Sequence, residues 1–123
     1  MRQRPATPED LDALLEDATV LKDERSVSEL FDRDAIIVGP DGHEVRGRLE
    51  IAGIVAGWEH AYVAEPRQVV QVRSTALVVG TSAIQVARRS RDRSWRVEIM
   101  LFRREEGGRN VWARPWSERA SRA

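Results

Sequence analysis

The second half of the chain changes character after about residue 66, and this change constrains the fold more than any other feature. Four segments rich in β-branched and aromatic residues follow one another there: 67–79, 83–90, 94–104 and 109–116. The separators between them are short enough for hairpin turns: 80–82, 91–93 and 105–108. The sequence therefore predicts a run of antiparallel strands joined by hairpins in this half.

The first half carries helical patterns instead. Thr7 is a candidate N-cap, Pro8 suits the first helical position, and apolar residues then recur at spacings of three and four. Ser26 and Glu29 have the spacing of a capping box, which predicts that a second, short helix starts at Ser26. The chain is therefore expected to begin with two helices.

A short β-branched strand is expected at 34–38, ended by a turn rich in Gly and Pro, and a third helix is expected over about 49–60. Helices first and strands afterwards predict an α+β domain in which the helices pack on one face of the sheet. The 123 residues fit one domain, 1–123, with a core at about 8–118.

Charge and composition narrow the choice of partners. Lys and Arg together number 20, as do Asp and Glu, so no net charge steers the chain toward nucleic acid or an acidic membrane. The basic cluster at 88–93 lacks interleaved aromatic residues for base stacking and is typical of a solvated turn. No apolar run approaches the roughly 20 residues needed to cross a bilayer. We therefore expect a cytoplasmic protein that binds neither nucleic acid nor membranes.

The strand expected at 94–104 alternates between two kinds of side chain. One set is uniformly apolar: Trp95, Val97, Ile99 and Leu101. The other set mixes charged, aromatic and Met side chains: Arg96, Glu98, Met100 and Phe102. Successive side chains of a strand point to opposite faces, so the mixed set is expected to line a cavity. Large exposed apolar patches are rare on monomers, so the apolar set predicts a homodimer through that face.

Two stretches carry short motifs that can be compared with known families. The first, LFDRDAIIVGPDGHEVRGRLEI at 30–51, contains a short helix, an acid-Ala strand, a Pro/Gly turn and Gly-Arg before the next helix. The second, GGRNVWARPWSE at 107–118, has the Trp-Ser ending of a closing strand. In this order they resemble the nuclear transport factor two-like superfamily, which includes the SnoaL-like polyketide cyclases and the ketosteroid isomerases.

The resemblance implies a cystatin-like cone. Its N-terminal helices would form one wall and a curved antiparallel sheet of four to five strands the other, with a pocket between them and a homodimer through the convex face. It also implies a SnoaL-like function: binding of a small apolar or polyketide-like molecule, with isomerase- or cyclase-like proton transfer as the reaction. We expect no cofactor and no metal.

The catalytic residues of the steroid isomerases do not carry over. The position of their base falls on Gly39, that of their Tyr on Leu15, and that of their oxyanion Asp on Met100. Without these groups the steroid proton shuttle cannot run. An Arg-x-acid motif similar to that of limonene-epoxide-hydrolase-like enzymes is present at 96–98, but the matching position on the last strand holds no acid.

Three residues remain as catalytic candidates, each with a second interpretation. Glu98 is either an acid or base in the cavity or one half of a structural ion pair with Arg96 or Arg114. Asp34 is either a base or a cap on its strand. His43 either contacts a ligand at the cavity mouth or is solvated in the turn; histidine is the residue type most often used for proton exchange near neutral pH.

The expected pocket is lined by Leu15, Trp58, Tyr62, Arg96, Met100, Phe102, Trp112, Arg114 and Trp116. Two functions stay open at this point: proton-transfer catalysis on the bound molecule, and a non-catalytic ligand-binding or dimeric interaction module. A catalyst requires a buried acid of shifted pKa that faces a cavity, whereas a module can have a filled apolar interior.

Overall fold

The computed structural model describes residues 4–58 and 62–103. In this part of the chain the helices are α1 (Pro8–Val20), α2 (Glu24–Glu29) and α3 (Arg48–Ala56). The strands are β1 (Phe31–Val38), β2 (Glu44–Arg46), β3 (Pro66–Val72), β4 (Thr75–Gly80), β5 (Ala83–Arg89) and β6 (Trp95–Phe102). The predicted α+β class, with helices packed on a sheet, is confirmed.

Local side-chain hydrogen bonds determine where α1 and α2 begin. As predicted, Thr7 caps α1: its hydroxyl accepts from Asp10 N at 3.0 Å, and Pro8 is the first helical residue. α2 begins earlier than predicted, because its N-cap is Asp23. The Asp23 carboxylate accepts from Ser26 N at 3.2 Å and from Ser26 Oγ at 2.6 Å. The Ser26 hydroxyl is thus engaged as a donor, and the predicted capping box is wrong.

α3 is shorter than the predicted range of 49–60. It follows Gly47, whose φ of 89° is one that residues with a side chain rarely adopt, and it ends with Gly57 as its C-cap. The helix packs against α2 and β1. His60, within the predicted helix, lies outside the described residues.

The six strands form one sheet in the order β2-β1-β6-β5-β4-β3. Neighbours are antiparallel except β1 and β6, which run parallel. The sheet is therefore mixed and has more strands than the predicted four to five. One reason is that the segment 67–79, predicted as one strand, is the hairpin of β3 and β4, which turns at Arg73 with a φ of 54°. The strand predicted at 109–116 lies outside the described residues.

The register between β5 and β6 contains an irregularity. Ala87 pairs with Val97, but the next pair is Val86 with Ile99, so Glu98 is the extra residue of a β-bulge. A bulge inserts one residue into the alternation of a strand, and every side chain beyond it moves to the opposite face.

We call the sheet face that packs on the helices the inner face and the opposite one the outer face. The buried side chains of β6 are Trp95, Val97, Met100 and Phe102, and they belong to the core under the helices. Ile99 and Leu101 lie on the outer face and are 38% and 42% exposed. The predicted single apolar row of 95, 97, 99 and 101 is therefore wrong, because the bulge at Glu98 divides it between the two faces.

The core lies between the helices and the inner face. α1 contributes its buried side: Pro8, Leu11, Asp12, Leu15, Ala18 and Thr19. Asp12 and Thr19 are polar, and so is Gln85, which is buried on β5. These polar residues distinguish one region of an otherwise apolar core.

Candidate functional site

α1 carries a carboxyl group into the core. Asp12 lies on the same side of the helix as the buried residues Pro8 and Leu15, since residues three and four apart share a helix face. Its exposed fraction is only 1%. Burying a carboxyl group is unfavourable unless other groups hydrogen-bond to it, so its neighbours determine what it can do.

Two side chains from distant parts of the sequence hydrogen-bond to Asp12. The Tyr62 hydroxyl donates to Asp12 Oδ1, and Gln85 Nε2 donates to the same oxygen at 2.5 Å. Gln85 Nε2 also donates to the Tyr62 hydroxyl oxygen at 3.1 Å. Tyr62 is 2% exposed and Gln85 1%. We call Asp12, Tyr62 and Gln85 the Asp12 cluster.

Burial controls the ionisation of this cluster. Desolvation raises the pKa of Asp12, the hydrogen bonds from Tyr62 and Gln85 oppose the rise, and the nearby charge of Glu16 adds to it. Burial, together with the neighbouring Asp12 carboxylate, also raises the pKa of Tyr62. Asp12 therefore holds its proton to a higher pH than an exposed Asp, and Tyr62 remains a hydrogen-bond donor.

A second set of hydrogen bonds holds Tyr62 in place. Tyr62 N donates to Thr19 Oγ1 at 2.9 Å, and Thr19 Oγ1 donates to Glu16 O at 2.9 Å. Ala64 N donates to Glu16 Oε1 at 2.9 Å. These contacts attach the segment around Tyr62 to α1, and so they position its hydroxyl at Asp12.

Two buried oxygens of the cluster are unused. Within residues 4–58 and 62–103, neither Asp12 Oδ2 nor Gln85 Oε1 has a hydrogen-bond partner. Buried polar atoms in folded proteins are nearly always paired with protein, water or ligand. The cluster therefore has spare hydrogen-bonding capacity inside an apolar core.

Side chains of the predicted pocket belong to the same core. The core contains five of them: Leu15, Trp58, Tyr62, Met100 and Phe102. Met100 pairs with Gln85 across the sheet, which places it beside the cluster. The rings of Trp58 and Phe102 meet edge to face, with centroids 5.1 Å apart. The other predicted aromatic and basic residues, Trp112, Arg114 and Trp116, lie outside the described residues.

Glu98 does not face this core, and its predicted orientation toward the cavity is wrong. It is the bulge residue, and its carboxylate lies 3.6 Å from Arg88 Nη1 on the outer face, where both side chains are partly exposed. An ion pair forms, but not with Arg96. The Arg96 guanidinium instead donates to Ser90 Oγ at 2.6 Å and to Asp92 Oδ2 at 3.2 Å, so Arg96 does not line the core either.

Asp34 and His43 are both exposed. Asp34 lies where the register of β1 with β6 shifts. His43 Nδ1 is 2.7 Å from Asp41 Oδ2 in the turn before β2, and although slight burial opposes it, hydrogen bonding to His43 lowers the pKa of Asp41. The structure therefore does not combine Glu98, Asp34 and His43 into one site.

A groove of about 940 Å³ lies on another side of α1. Leu14, Ala18 and Leu30 contribute to its apolar floor, and Arg25 and Arg96 to its rim. Its volume is in the range of small-molecule pockets. Asp12 does not line it, so the groove and the Asp12 cluster are separate features.

Sequence reasoning missed Asp12 and Gln85 as site residues, although a signal existed for each. Asp12 occupies a core position of the amphipathic pattern of α1, where an apolar residue is expected. Gln85 lies between Ala83 and Ala87 on the inner side of β5, as the period of two in a strand requires. Tyr62 was predicted as a pocket residue, but not as the partner of a carboxyl group.

No family model matches the sequence, and no curated protein matches it. Solved structures do. An NTF2-like protein with a cystatin-like fold from Novosphingobium aromaticivorans has a TM-score of 0.66 at 18% identity, over 85% of this chain and 84% of that one. A ketosteroid isomerase-like protein from Erwinia carotovora atroseptica has a TM-score of 0.63 at 20% identity, over 82% and 95%.

A third structure, from Thiobacillus denitrificans, is assigned as a calcium/calmodulin-dependent protein kinase type II association domain. Its TM-score is 0.69 at 15% identity, over 86% of this chain and 100% of that one. At these identities the likeness establishes the fold and nothing finer. The chain has the nuclear transport factor two-like, cystatin-like fold, and the resemblance drawn from its motifs is confirmed at that level.

The described residues also bear on metal binding and on membrane insertion. In 4–58 and 62–103, His, Cys, Asp and Glu side chains form no group of three or more that could hold a metal ion. In the same residues, no helix has both the length and the apolar composition to span a membrane.

Proposed function

We propose that the chain binds a small, mostly apolar molecule in the core beside the Asp12 cluster and exchanges a proton with it through Asp12. One observation carries the proposal: a carboxyl group that is 1% exposed, with a pKa raised by burial, has no hydrogen-bond partner for one of its oxygens among the described residues. Perturbed acids in such surroundings are typical of functional sites. The fold of a ketosteroid isomerase-like protein supports the same class of reaction, since steroid isomerisation proceeds by proton transfer.

The cluster suits both directions of proton transfer. With its proton, Asp12 is an acid buried among apolar side chains; without it, Asp12 is a base whose Oδ1 is stabilised by donors from Tyr62 and Gln85. Proton transfer of the isomerase or cyclase kind, on an apolar or polyketide-like substrate, is the reaction class that fits.

The enclosure of the cluster determines which ligands to test first. Asp12, Tyr62 and Gln85 are each at most 2% exposed, so a ligand has to displace neighbouring side chains to reach them. Close-packed cores resist such displacement, and single-ring aromatic molecules are therefore better probes than steroids. Phenol is the simplest, because it joins an apolar ring to one hydroxyl group.

The test is a phenol titration followed by NMR, using the side-chain amide signals of Gln85 as the reporter. We expect phenol to shift these signals in the parent protein and in Asp17→Asn, an exposed change on the same helix. We expect Asp12→Asn to weaken the binding, because it removes the ionisable group. Phenol-induced shifts confined to the groove around Leu14 and Leu30, or equal binding by Asp12→Asn, would contradict the proposal.

We also propose a second role, that of a dimeric interaction module, because the outer face is apolar. Two rows of aliphatic side chains cross it in register: Ile36, Ile99, Val86, Leu77 and Val70, then Val38, Leu101, Ile84 and Val79. Four of them are the most exposed: Val70, Leu77, Ile99 and Leu101, at 38–45%. A patch of this kind is rare on a monomer, and a second copy of the chain is the occupant we propose. A fold neighbour assigned as an association domain supports this.

Light scattering at a series of concentrations tests the dimer. We expect a dimer at micromolar concentration, and we expect Ile99→Lys to convert it to a monomer, because the new charge would be desolvated in the interface. Leu49→Lys is the matched control, since Leu49 is 75% exposed on α3, away from the outer face. A monomeric parent, or a dimer that withstands Ile99→Lys but not Leu49→Lys, would refute the assignment.

A further inference from the structure

The two unused oxygens of the Asp12 cluster belong to side chains that already contact each other. Gln85 Nε2 donates to Asp12 Oδ1 at 2.5 Å, and that amide nitrogen also donates to the Tyr62 hydroxyl oxygen. A Gln amide has two N–H donors, so both are in use. The Tyr62 hydroxyl hydrogen is directed at Asp12 Oδ1 as well. When Asp12 is ionised, every side-chain donor of the cluster therefore donates to an acceptor within the cluster.

The remaining atoms set the chemistry of a ligand, and they do so in either ionisation state of Asp12. If Asp12 is ionised, Asp12 Oδ2 and Gln85 Oε1 are both acceptors. If Asp12 carries its proton on Oδ2, that oxygen becomes a donor, whereas Gln85 Oε1 remains an acceptor. Gln85 Oε1 is thus an acceptor in both states, and when Asp12 is ionised it requires an O–H or N–H group from outside the cluster.

From this we infer that Gln85 is a specificity-determining residue, which selects ligands that present a hydroxyl or amino hydrogen to its side-chain oxygen. The inference rests on the proposed binding site and names the class of molecule that it takes: a hydroxylated or amino-bearing apolar compound. A ketone, an ether or an isolated oxyanion offers no hydrogen to Gln85 Oε1. A site that lacks a partner for a buried polar atom rejects such analogues more strongly than an apolar pocket rejects a change of size.

Three probes of similar size separate these possibilities: phenol, anisole and toluene. Phenol has a hydroxyl hydrogen, anisole only an ether oxygen, and toluene neither. In the full-length parent protein, titrated by NMR with the Gln85 side-chain amide as reporter, we expect phenol to bind about tenfold more tightly than anisole or toluene. The comparison needs no substitution, so it does not depend on any variant folding.

Two variants then test whether Gln85 is the source of the preference. Gln85→Met removes the acceptor but fills similar space, and we expect the preference for phenol over anisole to fall to about twofold or less. Gln85→Glu keeps an acceptor oxygen at the same place and should keep a preference for phenol. Gln68→Met is the matched control, because it makes the same change at an exposed position of β3, and it should leave the preference for phenol intact. Binding by the variants is followed through the backbone amide of residue 85.

The outcomes separate this inference from the proposed function. If all three probes bind beside Gln85 with equal affinity, the binding site stands but the proposed selectivity is wrong. Asp12 Oδ2 and Gln85 Oε1 would then be hydrogen-bonded to each other or to water. If a tenfold preference persists in Gln85→Met, the preference belongs to Asp12 and the role of Gln85 is overturned. If none of the probes binds at the cluster, the proposed function fails and the inference fails with it.

Discussion

Asp12→Asn gives the sharpest test of the interior, because it replaces a buried carboxyl group by an amide of the same shape. Burial raises the folded-state pKa of Asp12 above its ordinary value of 3.8. The folded protein therefore binds this proton more tightly than the unfolded chain does. It follows that Asp12 contributes its full stability below about pH 4 and that this contribution is lost as the pH rises through the folded-state pKa.

The magnitude of the loss follows from linkage. Each unit by which the folded-state pKa exceeds the unfolded one removes about 1.4 kcal/mol of stability once the pH is above both values. Asn does not ionise, so the variant lacks this loss. Its amide oxygen can still accept from Tyr62 and Gln85, whereas its NH₂ group replaces Oδ2, and leaving a donor unpaired there costs about 1–3 kcal/mol at every pH. The free energy of unfolding of the variant thus differs from that of the parent by a constant amount plus an amount that depends on pH.

Urea unfolding monitored by Trp fluorescence at a series of pH values separates the two parts. The free energy of unfolding of the parent minus that of Asp12→Asn should fall as the pH rises from about 4 and then level off. The matched control is Asp17→Asn, an exposed change on the same helix. A parent-minus-variant difference that is flat above pH 4, or that rises with pH, would show that burial does not raise the pKa of Asp12 and would remove the basis for its role.

Three further predictions concern individual side chains. Tyr62→Phe should lower the free energy of unfolding by about 1–3 kcal/mol, because Asp12 loses a buried donor; a variant as stable as the parent in urea would contradict the hydrogen bond. Glu98→Gln should change stability by less than about 1 kcal/mol, since its pair with Arg88 is partly exposed; a larger loss would place Glu98 back in the interior. Arg73→Gly should leave stability unchanged or raise it by about 1 kcal/mol, because Arg73 has a φ of 54°; a lower midpoint of thermal unfolding in the variant would contradict this.

Local features of the fold were predictable because the residues that cause them are close in sequence. Thr7 and Pro8 determine the start of α1 through contacts within one turn of helix, and the structure reproduces that start. Composition and turn chemistry predicted the order of the three helices and of β1, β5 and β6, but they did not predict β2. The β3–β4 hairpin was missed because its turn contains Arg73 in place of the Gly or Asn that marks such positions.

The face of a strand is harder to predict, and β6 shows why. Alternation predicts correctly on each side of Glu98 but fails across it, because the bulge exists only in the pairing of β6 with β5. That pairing joins residues from two strands, and no residue within β6 indicates where the bulge lies. One extra residue was enough to move Glu98 from the predicted cavity to the outer face and to move Trp95 and Val97 from the predicted outer face into the core.

The site depends on contacts between residues that lie even farther apart in the sequence. Gln85 reaches Asp12 across 73 positions of sequence and Tyr62 reaches it across 50. A polar residue at a core position of α1 could have been noticed, but its partners could not have been named from spacing. Helical periodicity therefore indicates that Asp12 is buried. Only the packed structure shows that Asp12 Oδ1 accepts two hydrogen bonds, and that Asp12 Oδ2 has no partner within the described residues.

Comparison with the steroid isomerase pattern shows how the interior polarity has been redistributed. Where the resemblance places a Tyr on the first helix, this chain has Leu15, and the hydroxyl group comes instead from Tyr62. Where it places an acid on the third long strand, this chain has Met100, and the polar group is on its cross-strand neighbour Gln85. The carboxyl group is on α1, at Asp12. A hydroxyl, an amide and a carboxyl group still meet in the core, but when Asp12 is ionised all the donors are used within the cluster and two acceptor oxygens are left over. A site that stabilises an oxyanion needs the reverse, with spare donors. The same fold is thus expected here to select ligands that donate a hydrogen bond rather than ligands that carry an oxyanion. The comparison of phenol with anisole therefore tests the proposed site more directly than a steroid isomerase assay does.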